Sequence, residues 1–252
     1  MTSTRRRALT LLAGALTTAL LAVGVATLPV SYVVLEPGPT VDTLAADVIT
    51  LTGAETSTSA GQLRLTTVQV RTDITLREAA GAWFDDDRAL VPRATVYPPG
   101  LTDQQVDRRN AEAFTTSQRN AETVARREVA RPFEATFGRE DIGGPSAGLM
   151  FTLGLVDKLT PADLTGGRIV AGTGTVDESG AVGRISGIPQ KLLGAKAAGA
   201  QIFLVPEANC AEAVRNAVPG LPTARVATVD DALAALKTFA EGGTPPPCPG
   251  SR

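Results

Sequence analysis

The chain contains no histidine. That absence excludes every Ser-His-Asp and Cys-His scheme and every metal site that depends on imidazole. Aromatic residues make up 4% of the chain, which leaves little with which to stack on bases, and the net charge of −2 comes from interspersed charges of both signs. No nucleic-acid footprint is present. There is no Gly-x-x-x-x-Gly-Lys-Ser/Thr loop, so the chain carries no recognisable ATP-binding motor, and nothing calls for a cofactor or metal. Lysine is scarce: of 24 basic residues, four are lysines, Lys158, Lys191, Lys196 and Lys237. Apolar residues amount to 43% of 252, enough for a true core in one large domain or two small ones.

Against these absences stands the stretch Asp141-Ile-Gly-Gly-Pro-Ser-Ala-Gly148, followed by an apolar run to Val156. Gly143, Gly144 and Gly148 permit a sharp turn and a close backbone approach, and Pro145 suits the first turn of a helix. With almost no polar face, the run from Ala147 to Val156 predicts a buried helix. Ser146 would then carry a hydroxyl at the N-terminus of that helix, where free N–H groups suit a developing oxyanion. Gly144-x-Ser146-x-Gly148 also fits a nucleophile elbow. Without histidine, the base of such a nucleophile has to be of another kind, and lysine is the known alternative. The same pattern equally suits a tight loop capping a core helix.

Arg5-Arg6-Arg7 precedes an apolar stretch from Ala8 to Leu28 that ends at Pro29, about the ~20 residues of a membrane span. Positive charge ahead of it predicts a cytoplasmic N-terminus with the rest of the chain outside. A cleaved signal peptide is the competing expectation, but no clean Ala-x-Ala site precedes Pro29. Residues 36 to 44 read as a rigid, turn-rich exit from the membrane. Strands are expected at Val48–Leu51 and Gln62–Val70, a short helix at Leu76–Phe84, and a long polar helix at Thr102–Val129. Asp85-Asp86-Asp87 reads as a solvated turn, without the spaced partners of a metal site. After Ser146 come a strand at Arg168–Ala171, a hairpin turning at Glu178-Ser179-Gly180, and a helix from Pro189 to Ala198. A strand at Ile202–Val205, a helix at Ala208–Val218, a strand at Arg225–Ala227 and a helix at Asp230–Phe239 complete the pattern.

Among the lysines, Lys158 ends the Ser146 helix, and twelve residues of helix set it ~18 Å away from the serine. Lys237 reads as solvated. Lys191 and Lys196 lie on different faces of one helix, and Lys191 sits in the first turn, where the dipole disfavours a cation. A general base needs a readily neutral amine, so Lys191 is the best candidate. Cys210 and Cys248 are the only cysteines. An even count in an extracytoplasmic domain suggests a disulfide, and two unrelated thiols are the alternative.

Asp141-Ile-Gly-Gly-Pro-Ser146-Ala-Gly, Gly172-Thr173-Gly174-Thr175-Val176-Asp177 and Gly180-Ala-Val-Gly-Arg-Ile-Ser-Gly-Ile-Pro-Gln-Lys191-Leu-Leu-Gly-Ala together resemble the proteolytic domain of Lon proteases, peptidase family S16. Tyr32-Val-Val-Leu-Glu-Pro-Gly-Pro-Thr40 and Val96-Tyr-Pro-Pro-Gly100 resemble its membrane-anchored, ATP-independent branch. The resemblance covers most of residues 30 to 237. It implies Ser146 as nucleophile, Lys191 as base and Thr173 as a hydroxyl that helps hold the lysine, with Gly144, Pro145 and Ala147 shaping the serine turn. The implied fold is α+β, the Lon proteolytic domain fold of the ribosomal-protein-S5-domain-2-like kind, after one N-terminal transmembrane helix. A hexameric homo-oligomer is implied as well. Two departures are visible. Where the family commonly has an acidic residue three before the serine, this chain has Gly143, and its nearest carboxylate is Asp141. Where the membrane-anchored branch usually carries a PDZ domain, only Arg126 to Glu140 intervenes.

The expected organisation is a cytoplasmic N-terminus (1–7), a transmembrane anchor (8–29), an N-terminal extracytoplasmic part (30–130), a Lon-type catalytic domain (131–239) and a flexible Pro/Gly-rich tail (240–252). The expected activity is an ATP-independent serine endopeptidase acting on extracytoplasmic or membrane-associated proteins and peptides. A catalytically silent scaffold of the same fold and a Ser-Lys amidase or esterase are the alternatives.

Overall fold

The computed structural model describes residues 2–138 and 144–250. Asp141, Ile142 and Gly143 therefore lie outside the described residues. In chain order the elements are α1 (Thr2–Ala26), β1 (Tyr32–Asp42), β2 (Ile49–Thr52), β3 (Gln62–Arg71), α2 (Leu76–Trp83), β4 (Ala89–Pro92), α3 (Arg93–Val96) and α4 (Asp103–Val129). There follow β5 (Glu134–Phe137), α5 (Gly148–Leu159), β6 (Ile169–Gly172), β7 (Thr175–Val176), β8 (Val182–Gly183), α6 (Ile188–Ala197), β9 (Ile202–Pro206), α7 (Cys210–Arg215), β10 (Thr223–Val226) and α8 (Val229–Ala240). The chain forms two compact units, Met1–Glu36 with Val70–Pro99, and Pro37–Gln69 with Gly100–Arg252.

In the first unit, Arg7–Ala26 of α1 is 20 residues long with mean hydropathy 2.1, and none of it is buried. By length and composition alone it suffices to cross a membrane, a test that a signal sequence also passes. The opening residues of β1 pair antiparallel with β4, Tyr32 opposite Pro92 and Leu35 opposite Ala89. Thr75 caps α2 through a capping box: its hydroxyl accepts from the Glu78 N–H, and the Glu78 carboxylate accepts from the Thr75 N–H. Those bonds to Thr75 hold the Glu78 carboxyl below the usual range. Ala79 and Ala82 of α2 close a small core with Val34 and Ile74.

The second unit is built on strands in the order β10-β9-β6-β3, every adjacent pair parallel. Parallel neighbours need crossover connections, and α6 and α7 supply them between β6 and β9 and between β9 and β10. The unit is thus mixed α/β with a parallel-rich sheet. In α5 every residue except Lys158 is buried, as its apolar run predicts. Phe114 of α4 meets Phe151 of α5 edge to face at 5.6 Å. The Pro/Gly-rich end of the chain is fastened to this unit at two points. The Arg225 N–H donates to Pro246 O, and Cys248 is bonded to Cys210 across 38 residues. In the loop-entropy account such a closure contributes up to ~4 kcal/mol.

Three expectations need correction. Of residues 36 to 44 only Thr43 and Leu44 turn, since β1 runs through Pro37-Gly38-Pro39 to Asp42. A Cβ at Gly38 would lie 2.3 Å from Thr67 Oγ1, so this glycine allows a close strand approach rather than a bend. The helix expected at 208–218 is shorter, since Glu207–Asn209 forms a 3₁₀ turn and α7 ends at Arg215. Beyond it the chain turns at Val218, whose carbonyl accepts from the Leu221 N–H. Finally, β4, α3 and β5 were not anticipated, being four residues each, too short for periodicity to register.

Candidate active site

Ser146 lies in a 3₁₀ turn, Pro145–Ala147, directly ahead of α5. Gly144 enters the turn at φ 84°, a conformation that favours glycine. The turn is clamped from several sides. The Gly144 N–H donates to Asn110 O at 3.0 Å, and the Gly174 N–H to Ser146 O at 3.0 Å. Ser117 Oγ donates to Pro145 O at 3.1 Å.

Thr173 follows the end of β6 and is fully buried. Its N–H donates to Leu204 O of the neighbouring β9, which ties it to the sheet. Its hydroxyl donates to Ser146 O at 3.1 Å. Lys191 projects from the first turn of α6, which begins after a left-handed Gly187 and carries Pro189. Ile188, Leu192 and Ala195, spaced at i, i+4 and i+7, bury the helix against Ala171 and Phe203.

The structure brings Ser146, Lys191 and Thr173 together. Lys191 Nζ donates to Ser146 Oγ at 2.7 Å and to Thr173 Oγ1 at 2.9 Å. A hydroxyl has one proton to donate, and that of Thr173 is committed to Ser146 O. Toward the lysine Thr173 is therefore an acceptor, and it occupies one amine N–H. In the neutral amine the bond to Ser146 reverses, the lone pair accepting from the serine hydroxyl across the same 2.7 Å. Lys191 is 3% exposed, and burial, by disfavouring the ammonium form, lowers its pKa to about 7.

A cleft of about 410 Å3 adjoins the serine turn, lined by Ala113, Ser117 and Asn120 of α4, by Pro145, and by Val176 and Val182 of the hairpin. Asn120 Nδ2 donates to Val176 O at 2.9 Å and so joins the two walls. The sequence marks Ser117 and Asn120 only weakly. One signal was available: Ser117 interrupts the apolar spacing of Phe114 and Ala121, placing a hydroxyl on the core face of α4.

The other lysines are elsewhere. Lys158 Nζ donates to Ala45 O and Ile49 O, Lys196 to Gly220 O, and Lys237 is exposed. Cys210 and Cys248 are remote in role, joining α7 to the tail. Among the described residues no cluster of three or more His, Cys, Asp or Glu side chains is arranged to hold a metal.

Residues 137–236 match the family of the Lon protease (S16) C-terminal proteolytic domain. A Lon protease of Geobacter metallireducens is 35% identical over 112 residues, a region that spans 43% of this chain and 13% of that protein. The chain thus corresponds to a small fraction of the length of that relative. The parallel-rich α/β unit is consistent with a Lon proteolytic domain, and the similarity supports a serine peptidase.

Proposed function

We propose that the chain is an ATP-independent serine endopeptidase of Lon type with a Ser146–Lys191 dyad. The observation that carries this is the 2.7 Å approach of a buried lysine amine to the Ser146 hydroxyl, within the segment similar to a proteolytic domain. In the first step Ser146 Oγ attacks a peptide carbonyl carbon while its proton passes to neutral Lys191. Backbone N–H groups of Ser146 and Ala147, in the turn shaped by Gly144 and Pro145, stabilise the oxyanion, a contribution worth ~3–4 kcal/mol per donor. Collapse of the intermediate breaks the C–N bond, and the Lys191 ammonium protonates the leaving amine. Water then gives a proton to Lys191 and attacks the acyl-serine, and return of that proton to Ser146 Oγ releases the acid. Thr173 holds the amine in register throughout.

The helix Arg7–Ala26 supports a single-pass anchor, and the arginines before it support a catalytic part outside the cytoplasm. Substrates would then be extracytoplasmic or membrane-associated proteins, and a ring of identical chains is part of the same reading. With no room for a PDZ module between Arg126 and Glu140, selection would depend on the active-site cleft and on closeness to the membrane.

The test is a fluorophosphonate probe together with peptide and ester substrates, on the full chain and on Ser146→Ala. Labelling and peptide cleavage that both vanish in Ser146→Ala are expected. An unlabelled parent chain would point to a silent scaffold, and turnover of esters without peptides to an esterase.

A further inference from the structure

The smaller unit carries an apolar surface that its own core does not use. On α2, Ala79 and Ala82 face the core. A second stripe, Leu76, Ala80 and Trp83, lies at i, i+4 and i+7 and faces outward. Leu76 is 42% exposed, Trp83 73%, and Phe84, the residue that ends the helix, 87%. Beside them Val30, Tyr32 and Leu90 complete an almost wholly apolar hollow of about 230 Å3. An amphipathic helix with two apolar stripes needs a second partner.

The backbone says where that partner lies. The Leu76 N–H, the first of α2, donates to Leu28 O at 2.9 Å, and the Val30 N–H donates to Ile74 O at 3.1 Å. Leu28 is two residues past the end of the apolar segment Arg7–Ala26. Twenty helical residues span ~30 Å, the thickness of the hydrocarbon core. If α1 crosses the bilayer, Leu28 emerges in the headgroup zone and the start of α2 is held there with it. Tryptophan and tyrosine favour that zone, since each has an apolar body and a polar edge.

We infer that Leu76, Trp83 and Phe84, with Tyr32, rest on the lipid bilayer around α1 as an interfacial foot of the smaller unit. The inference deepens the anchored reading above and rests on it. Its partner is zwitterionic lipid: Asp85-Asp86-Asp87 follows Phe84 directly, and while Asp85 pairs with Arg88 at 3.2 Å, Asp86 and Asp87 are exposed and would be repelled by a strongly anionic surface. Lipid contact here fixes the unit against the membrane beyond what a flexible tether provides.

Trp83 is the only tryptophan of the chain, so its emission reports on this surface alone. The full chain is reconstituted into phosphatidylcholine vesicles, with and without bromine near the glycerol end of the acyl chains, and flotation is measured on the same samples. The expected result is flotation, quenching of Trp83 by brominated lipid to roughly half its intensity, and little quenching by aqueous iodide. Replacing Leu76 and Phe84 by serine should weaken the bromine effect while flotation persists. Flotation with iodide quenching and no bromine quenching would overturn the foot and leave the anchor standing. Flotation with neither quencher effective would also overturn it, in favour of a second copy or another protein covering the surface. A chain that does not float defeats the anchor, and the inference with it.

Discussion

Lys191 is buried and Lys158 half-buried, and burial makes both harder to protonate than a free lysine. Their partners differ in kind. The Lys158 amine faces two main-chain carbonyls, Ala45 O and Ile49 O, and Asp42, Asp157 and Asp47 draw its pKa back up. Carbonyls accept protons in hydrogen bonds and have none to give. Close by, Asp157 is itself raised by burial, a shift moderated by hydrogen bonds from Ser59 and Leu164. That region binds a loop to the end of α5, with the Ser57 N–H donating to Lys158 O and its hydroxyl to Asp157 O. At Lys191 the amine meets two hydroxyls instead, and burial acts unopposed. Burial alone does not make a base. A hydroxyl with a transferable proton, and the lack of a carboxylate holding the ammonium form, are also required.

The sharpest way to break this comparison is to exchange each lysine for arginine. Lys191→Arg should lower kcat/KM for a peptide by roughly a thousandfold or more, since a guanidinium stays protonated. Lys158→Arg should stay within a few-fold of the parent. Equal losses in purified, folded proteins would mean that the two sites do not differ as described.

pH is the next lever. With Lys191 near 7, kcat/KM should fall about tenfold per unit below that value and level off above it. A profile flat from pH 5 to 9 would contradict a lysine base.

Removing only the orienting hydroxyl should have a smaller effect. Thr173→Val keeps shape and burial but takes away the acceptor of one amine N–H, and roughly tenfold in kcat is expected with KM little changed. A fall in KM-dependent binding instead would make Thr173 a substrate contact.

Stability separates the two lysines with opposite signs. Between about pH 7 and the ordinary value of 10.5, the unfolded chain binds a proton at Lys191 that the folded chain does not. Stability therefore rises with pH across that window, and below it the full penalty of a buried ammonium is present. Lys191→Met should raise Tm at pH 6, with a gain that shrinks toward pH 10, whereas Lys158→Met should cost about 1 kcal/mol by removing the amine's bonds to Ala45 O and Ile49 O, the former of which keeps the Val48 N–H as a donor. Thermal melts at the two pH values measure both. The smallest effect is expected at Lys196→Arg, whose amine donates to the Gly220 carbonyl at the surface, so activity and Tm should be unchanged.

Much of the larger unit is legible because its signals are local. The buried run after Ser146, the Pro189 that opens α6 and the alternation along β3 each act within a few residues. β1 escaped for the opposite reason. Pro37-Gly38-Pro39 has the composition of a turn, and its extended form depends on Thr67 packing against Gly38, a neighbour 29 positions away. Ser117 and Asn120 escaped likewise, since a polar residue on a long polar helix gains meaning from what lies across from it. Their partners, Pro145 O and Val176 O, are remote in sequence.

What the sequence determined by itself is the chemistry available. Without histidine and with four lysines, a serine nucleophile has few possible bases, and the serine turn carries its own local conformation. The tertiary structure alone decided which lysine meets it. Lys191 and Ser146 are 45 positions apart, and they touch because Thr173 at the end of β6 and α6 after it are docked on the same parallel strands. The tertiary structure also decided the amine's charge. Desolvation depends on everything packed around a group, and no short stretch of chain encodes it.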